Sequence, residues 1–188
     1  MYIVYQIMGR LHLIMGCMFA QKTTELLRRV RRYQSIGYNV LTVNFIDDIR
    51  YGSNCIASHD KIFEKAVCVR TLREIENLVS SYDVIAIDEG QFFPDLLDCI
   101  SNWADTLPLE IVVAGLSGDA NRQPFGDILR LIPHAEDVQH LHALCAVCRD
   151  GTIATYSKRV SVVDRDDNPI NIGAAESYKP VCRNHYLV

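Results

Sequence analysis

Two short apolar runs, residues 83–87 (DVIAI) and 110–114 (EIVVA), constrain the fold of this chain more than any other feature. Each run is continuously apolar rather than alternating with polar residues, which is typical of strands in a sheet covered on both faces. Each also ends at a residue of chemical or conformational interest, Asp88 after the first and Gly115 after the second. We therefore predict an α/β fold with a parallel sheet and helices on both faces.

The remaining segments fit an alternation of strands and helices. Further strands are predicted at residues 11–15, 39–45 and 66–69. Charge and apolar spacing predict helices at residues 22–35, 72–80, 96–103 and, after Pro124, 125–131. After about residue 139 the helical period disappears and two pairs of metal-ligand residues follow. We therefore expect a larger α/β domain, residues 1–138, and a small appended domain, residues 139–188.

Composition excludes several classes of protein. The chain has 188 residues, of which 49% are hydrophobic and 22% charged, as in ordinary globular proteins. Its net charge of -4 is too acidic for a non-specific nucleic-acid binder. Apolar runs are too short for a membrane span, and the seven Cys are an odd number that does not resemble a disulfide scaffold. We expect a cytoplasmic protein with no nucleic-acid or membrane partner.

A candidate phosphate-binding loop joins the first predicted strand to the first helix. The segment GCMFAQKT occupies the place of the motif G-x-x-x-x-G-K-[ST], and its residues are Gly16, Cys17, Met18, Phe19, Ala20, Gln21, Lys22 and Thr23. Lys22 would add a positive charge on the outer phosphates of a nucleotide, and Thr23 would hold Mg²⁺. Gln21 stands where the motif has glycine, a residue that tolerates the unusual backbone conformation needed there. An ordinary turn before a helix is the alternative interpretation.

The second half of a nucleotide site follows the run at residues 83–87. Asp88 and Glu89 are adjacent carboxylates at the end of a strand, so they can divide two tasks. In a kinase, Asp88 would hold Mg²⁺, and Glu89 would accept the proton of the attacking hydroxyl. In an ATPase the same glutamate would orient water. A solvated acidic pair is the alternative without function.

The late cysteines have the spacing of a zinc site. Cys145 and Cys148 form one doublet, and Cys182 and His185 form another, each with two residues between the ligands. Three thiolates and one imidazole complete a tetrahedral shell with no open position, so we predict one structural Zn²⁺. Buried free thiols are the alternative.

Taken together, these motifs resemble those of the cytosolic-type thymidine kinases. The matching segments are GCMFAQKTT from Gly16, DIRY from Asp48, IDEGQFFPD from Ile87, QPFGDIL from Gln123, CAVC from Cys145 and CRNH from Cys182. The resemblance covers almost the whole chain. It implies transfer of the γ-phosphate of ATP to the 5'-hydroxyl of thymidine, with Mg²⁺, on a P-loop core. It also implies a zinc domain with a lasso-like loop over the nucleoside, and a homotetramer.

The resemblance also implies the residues of the site. Glu89 matches the base. Nucleotide contacts are implied for the loop residues 16–23, for Asp48, Ile49 and Arg50, and for Asp88, Glu89, Gly90 and Gln91. Residues that match the nucleoside side are Met18, Phe92, Leu116, Ala120, Phe125, Pro169, Ile170, Asn171, Ile172, Gly173 and Tyr178. Phe92 and Phe125 are equally interpretable as core aromatics.

Two departures from the family pattern leave other functions open. Gln21 replaces the family glycine, and Ala120 replaces a phenylalanine, with Ser117 and Asp119 also differing from their usual neighbours. A missing aromatic in a base pocket costs about 1 to 3 kcal/mol of stacking, so the nucleoside is bound more weakly or less selectively. A kinase-derived binding or regulatory protein and a P-loop ATPase or GTPase are the competing hypotheses.

Overall fold

The computed structural model describes residues 8–46, 55–57, 63–160 and 177–188 of the chain. In these ranges the strands are β1 (Arg10–Gly16), β2 (Val40–Phe45), β3 (Cys55–Ala57), β4 (Phe63–Lys65), β5 (Val67–Val69), β6 (Val84–Ile87), β7 (Glu110–Leu116), β8 (Asp137–Leu141), β9 (Ala143–Leu144), β10 (Ile153–Ala154), β11 (Tyr156–Arg159) and β12 (Tyr178–Val181). The α-helices are α1 (Lys22–Ser35), α2 (Glu76–Val79), α3 (Leu96–Thr106) and α4 (Arg183–Leu187). Short 3₁₀ helices lie at Leu72–Ile75, Gly90–Phe92 and Ile128–His134.

A six-stranded sheet forms the centre of the molecule, in the order β5-β2-β6-β7-β1-β8. All of its neighbouring strands are parallel. Every residue of β6 and the middle of β7 are buried, as expected for strands covered by helices on both faces. The predicted α/β class with a parallel sheet is therefore confirmed.

Strand register brings the ends of three central strands to one edge of the sheet. Gly16 at the end of β1 pairs with Leu116 at the end of β7, and Ile87 at the end of β6 pairs with Val113 of β7. Ligands of open α/β sheets bind at this carboxyl edge. The phosphate loop and Asp88, which are distant in sequence, thus lie on either side of the end of β7.

Helix α1 has the bounds that the sequence predicted. Its buried residues Leu26, Leu27 and Val30 face the sheet, while Arg28 and Arg31 are exposed, so the apolar stripe has the period of a helix. The predicted helix at 96–103 is also present as α3 and continues to Thr106. The segment at 72–80 begins as a 3₁₀ helix and continues as α2.

The helix predicted at residues 125–131 is wrong. Gly126 has φ of +56°, a left-handed conformation that interrupts a helix, and a Cβ at that position would lie 2.2 Å from the Gln91 carbonyl oxygen. The backbone of Gly126 therefore approaches the loop that follows β6. The chain forms a 3₁₀ helix only from Ile128, and Pro133 lies inside it.

The C-terminal part of the chain packs against the phosphate loop. Strand β9 pairs with β10 and β11 with β12, in antiparallel pairs. One buried cluster unites the two parts: Cys17, Ala20, Ala143, Cys145, Ala154, Val181 and Cys182. Strand β8 runs through residues 138 and 139 and belongs to the main sheet, and the division into two domains there stays a prediction. None of the described helices is long and apolar enough to cross a membrane.

Candidate active site

The loop between β1 and α1 has two residues in left-handed conformations. Phe19 has φ of +63°, and Gln21, which precedes the first residue of α1, has φ of +60° and ψ of 32°. A left-handed conformation costs a residue with a side chain about 1 to 2 kcal/mol relative to glycine. Gln21 is exposed, and its carbonyl accepts the first helical hydrogen bond from Glu25 at 3.0 Å. The unusual backbone that the motif requires is therefore present despite the glutamine.

Two side chains at the start of α1 are held by polar contacts across the loop. The Lys22 ammonium donates a hydrogen bond to the Cys17 carbonyl at 2.8 Å. The Thr23 hydroxyl donates to Oδ2 of Asp88, also at 2.8 Å, so the start of α1 and the end of β6 meet. Asp88 is buried, and its other oxygen accepts the Glu89 N–H at 3.0 Å. A hydroxyl and a carboxylate placed together in this way are oxygen ligands of the kind that Mg²⁺ prefers.

Glu89 is fixed by a buried amide side chain. Gln91 donates from Nε2 to Oε2 of Glu89 at 2.6 Å, and its Oε1 accepts the Leu116 N–H at 2.9 Å. The Gln91 side chain therefore ties the carboxylate to the end of β7. A Cβ at Gly115 would lie 2.6 Å from Oε1 of Gln91 and 2.3 Å from Cδ1 of Ile128, so a side chain there would displace the Gln91 amide. Glu89 itself has φ of +52°, a strained conformation of the kind often found at functional sites.

An aromatic group lies beside these carboxylates. The Phe92 and Phe125 rings are 5.4 Å apart and perpendicular, and Phe45 contacts Phe92 at 5.5 Å. Phe93, in contrast, is only 1% exposed and belongs to the core. Phe92 and Phe125 are half-buried, so part of each residue is accessible.

The phosphate loop is also held by the C-terminal part of the chain, which the sequence did not indicate. The Met18 N–H donates to the Ser157 hydroxyl at 2.9 Å, and the Cys17 thiol donates to the Ala154 carbonyl at 3.4 Å. Burial raises the pKa of the Cys17 thiol, which keeps it protonated and able to donate. No motif includes Ser157, because its role arises only from the packing of β11 against the loop.

A cavity of about 480 Å³ lies on the outer side of the loop and the first turn of α1. Apolar residues alternate in its wall with the charged pair Glu25 and Arg28 and with Gln21. The lining residues are Phe19, Ala20, Gln21, Thr24, Glu25, Arg28, Leu141, His142, Ala143 and Leu144.

The four predicted zinc ligands converge in the described part of the chain. Their ligand atoms all lie within 4.8 Å of one another: Cys145, Cys148, Cys182 and His185. The Sγ atoms of Cys148 and Cys182 are 3.8 Å apart, and Nδ1 of His185 lies 3.3 Å from each of them. Tetrahedral zinc with about 2.3 Å bonds to sulfur requires sulfur atoms about 3.8 Å apart. The residues therefore fit Zn²⁺ in both donor chemistry and spacing.

Backbone hydrogen bonds favour the thiolate form of Cys182, whereas burial and the neighbouring sulfur atoms raise the pKa of Cys148. The N–H of Cys182 donates to the Cys145 sulfur at 3.3 Å. The pKa of Cys182 is lowered, first by a hydrogen bond from the His185 backbone, so the thiolate is favoured. A thiolate is the form that binds zinc.

The other residues matched to the nucleoside side are dispersed around this edge. Leu116 ends β7, Ala120 lies in the loop that follows it, and Tyr178 begins β12, all half-buried. The described residues do not include Asp48, Ile49 and Arg50 or the segment Pro169, Ile170, Asn171, Ile172 and Gly173. The positions of those eight residues stay predictions.

Asp95, the last residue of the motif IDEGQFFPD, has a structural task. Its two carboxylate oxygens accept the N–H groups of Leu72 at 3.0 Å and Arg73 at 3.1 Å. These are unpaired donors at the start of a 3₁₀ helix, and a carboxylate satisfies them favourably. The motif thus contains residues of the site and also Asp95, which joins the motif to the 3₁₀ helix that starts at Leu72.

The parallel sheet, the phosphate loop and the carboxylates at one edge define a P-loop nucleotide-binding protein with an appended zinc-type cluster. The family model for thymidine kinase matches residues 9–186. The chain therefore belongs to the thymidine kinase family, as its motifs indicated.

Curated relatives agree with this assignment. Thymidine kinase of Rabbit fibroma virus (strain Kasza) is 42% identical over 179 residues, covering 95% of this chain and 97% of that protein. Thymidine kinase of Yaba monkey tumor virus (strain VR587) is 42% identical over 180 residues, 95% of each chain. Thymidine kinase of Sheeppox virus (strain KS-1) is 39% identical over 180 residues, 96% of this chain and 98% of that protein.

Proposed function

We propose that this protein is a thymidine kinase that transfers the γ-phosphate of ATP to the 5'-hydroxyl of thymidine or a related deoxynucleoside. The observation that carries the proposal is the meeting of Thr23, Asp88 and Glu89 at one edge of the sheet. Membership of the thymidine kinase family over nearly the whole chain supports the choice of substrate.

The phosphate loop binds ATP. Its N–H groups and the start of α1 attract the phosphates, and Lys22 exchanges the Cys17 carbonyl for phosphate oxygens. Thr23 and Asp88 are the residues that would hold Mg²⁺, with Gly90 and Gln91 completing this segment. When bound, Mg²⁺ neutralises charge that develops on the transferred phosphoryl group.

Glu89 acts as the general base. The carboxylate accepts the 5'-hydroxyl proton while the nucleoside oxygen forms its bond to the γ-phosphorus and the bond to the β-γ bridging oxygen of ATP breaks. ADP and the nucleoside monophosphate are the products. Gln91 holds the carboxylate by its 2.6 Å hydrogen bond, so the base needs little reorganisation.

The aromatic side of the site binds the nucleoside. Phe92 and Phe125, with Met18 and Leu116, supply apolar contacts to the base. The segment 169–173 and Tyr178 cover it. The cavity beside Gln21 and Leu141 takes the adenine of ATP, since it adjoins the phosphate loop and combines apolar residues with polar ones.

Zn²⁺ at the cysteine-histidine cluster has a structural role, because four protein ligands leave no position for a substrate. We further propose that the chain assembles as a homotetramer and works in the cytoplasm, in keeping with its thiol-rich metal site.

A coupled assay of ADP formation tests the function. Purified protein is supplied with ATP and Mg²⁺, and with thymidine, deoxyuridine or no acceptor. We expect ADP formation that depends on thymidine. Turnover without an acceptor would indicate an ATPase. Binding of nucleotide or nucleoside without turnover would favour a regulatory protein, the interpretation that Gln21 and Ala120 support.

A further inference from the structure

Tyr186 joins the zinc-ligand cluster to the loop that follows β7. It lies on α4, which starts directly after Cys182 and contains His185. Its hydroxyl donates a hydrogen bond to the Ala120 carbonyl at 2.8 Å, across 66 positions of sequence. The contact therefore connects a residue next to a predicted metal ligand with the loop on the proposed nucleoside side.

The Tyr186 ring makes a second contact with the same loop. The Arg122 guanidinium lies 4.5 Å from the centre of the ring, a cation-π distance. Tyr156 packs on the ring at 5.2 Å between centroids, and Arg183 lies over Tyr156 at 5.3 Å. Arg122 has φ of +62°, so the loop adopts a strained conformation where it meets the ring.

The contacted loop is closed by its own hydrogen bonds. Oδ1 of Asp119 accepts the N–H groups of Asn121 and Gln123, each at 2.8 Å, and the Asp119 N–H donates to the Gln123 carbonyl at 2.9 Å. These bonds tie residues 119 to 123 together. The ends of the loop lead to Leu116 and Phe125, so a contact at Ala120 sets the position of both ends.

We propose that Tyr186 is a positioning residue that couples the zinc centre to nucleoside binding. Zinc fixes the start of α4, α4 fixes Tyr186, and Tyr186 fixes the loop through Ala120 and Arg122. The inference rests on the proposed function and extends it. The hydrogen bond from Tyr186 also explains how the loop is held at Ala120, whose side chain is only a methyl group. The bond is made to the backbone carbonyl, so it does not depend on that side chain.

Coupling between two sites is reciprocal in free energy. If the zinc centre supports thymidine binding, thymidine must in turn support zinc binding. Bound thymidine should therefore slow the capture of zinc by a chelator, and removal of the Tyr186 hydroxyl should reduce that protection.

The test compares Tyr186→Phe with Tyr156→Phe in zinc-loaded protein. Tyr186→Phe keeps the ring and removes only the hydroxyl that contacts Ala120. The Tyr156 hydroxyl makes no hydrogen bond with the described residues, so its removal is a matched control. Calorimetry measures thymidine and ATP affinity, and a chromogenic chelator measures zinc release with and without thymidine.

We expect Tyr186→Phe to weaken thymidine binding about 3- to 10-fold, the usual effect of one hydrogen bond, and to leave ATP affinity within about twofold. Protection of zinc by thymidine should fall by a similar factor. Tyr156→Phe should resemble the unaltered protein. Arg122→Ala, at an exposed position, should also weaken thymidine binding, and it serves if Tyr186→Phe does not fold.

Two results would overturn the coupling. One is thymidine affinity in both Tyr186→Phe and Arg122→Ala equal to that of the unaltered protein. The other is an equal loss of thymidine and ATP affinity accompanied by a lower melting temperature, which indicates general destabilisation. Failure of the unaltered protein to bind thymidine would instead contradict the proposed function, and with it this coupling.

Discussion

The Thr23 hydroxyl lies 2.8 Å from Oδ2 of Asp88, although the two residues are 65 positions apart in the chain. Strands β1 and β6, which lead to these residues, are separated in the sheet by β7. The bond therefore passes across the end of a whole strand. The bond links the phosphate loop to the segment of Asp88 and Glu89 in the protein without ligand.

Thr23→Val should raise the Mg²⁺ concentration needed for half-maximal turnover by about 10-fold, because it removes one oxygen ligand and the bond that orients Asp88. Initial rates at varied Mg²⁺ measure this. Thr106→Val is the control, since Thr106 is exposed at the end of α3, outside the site, and its change should leave the Mg²⁺ requirement unchanged. Equal Mg²⁺ dependence in both variants would remove Thr23 from the metal site.

Glu89→Gln should lower turnover about 10²- to 10⁴-fold while ATP affinity changes little, because the amide cannot accept the proton of the nucleoside hydroxyl. Single-turnover kinetics measure the chemical step, and calorimetry measures ATP binding. Retention of more than about a third of the rate would show that another group is the base.

Gln21→Gly should tighten ATP binding severalfold, because it removes a side chain from the part of the loop that approaches the phosphates. The left-handed φ of +60° is already present without ATP, so relief of its strain adds to stability and not to affinity. Arg149→Gly is the comparison variant, because Arg149 also has a left-handed conformation, φ of +57°, but is an exposed residue outside the phosphate loop. Calorimetry with ATP should separate the two variants. An unchanged or lower affinity in Gln21→Gly would mean that the loop uses the glutamine side chain itself.

Removal of zinc should destabilise the protein and weaken thymidine binding. We expect close to one equivalent of zinc per chain by metal analysis, and a clear fall in melting temperature for Cys148→Ser. Cys68→Ser changes a half-buried cysteine outside the cluster. The zinc content and the melting temperature of this control should equal those of the unaltered protein. Zinc content below about half an equivalent in fresh protein would contradict the metal site.

Glu25 should contribute to stability only above acidic pH. Hydrogen bonds from Arg28 hold the pKa of the Glu25 carboxyl below its ordinary value of 4.5. A carboxyl whose pKa is lower in the folded state stabilises above its unfolded pKa and loses this effect as pH falls through the folded value. Glu25→Gln should thus cost about 0.5 kcal/mol at pH 7, and the difference should vanish well below pH 4.5.

Chemical denaturation at pH 7 and at pH 3 measures that difference. Glu76→Gln is its control, since Glu76 is exposed and makes no ion pair with described residues. A constant difference between Glu25→Gln and the unaltered protein at both pH values would show that the ion pair with Arg28 has no net effect.

Local sequence pattern is sufficient to predict several elements of the fold. The bounds of α1 follow from the spacing of Leu26, Leu27 and Val30, and the buried strand β6 follows from its continuous apolar run. The cysteine-histidine cluster is predictable because two doublets of strong metal-ligand residues are a dense chemical signal. Each doublet and each apolar pattern lies within a short stretch of sequence, so no knowledge of the fold is needed to recognise it.

Tertiary structure decided what depends on contacts between distant segments. The strand order that places β7 between β1 and β6 is set by packing of the whole sheet, and no local pattern records it. Gly126 ended the helix predicted after Pro124 because Gln91, from another loop, occupies the space that a side chain needs. The bonds from Ser157 to Met18 and from Tyr186 to Ala120 join a serine and a tyrosine to backbone groups. Backbone partners leave no signature in a sequence, and only the folded chain brings them within reach.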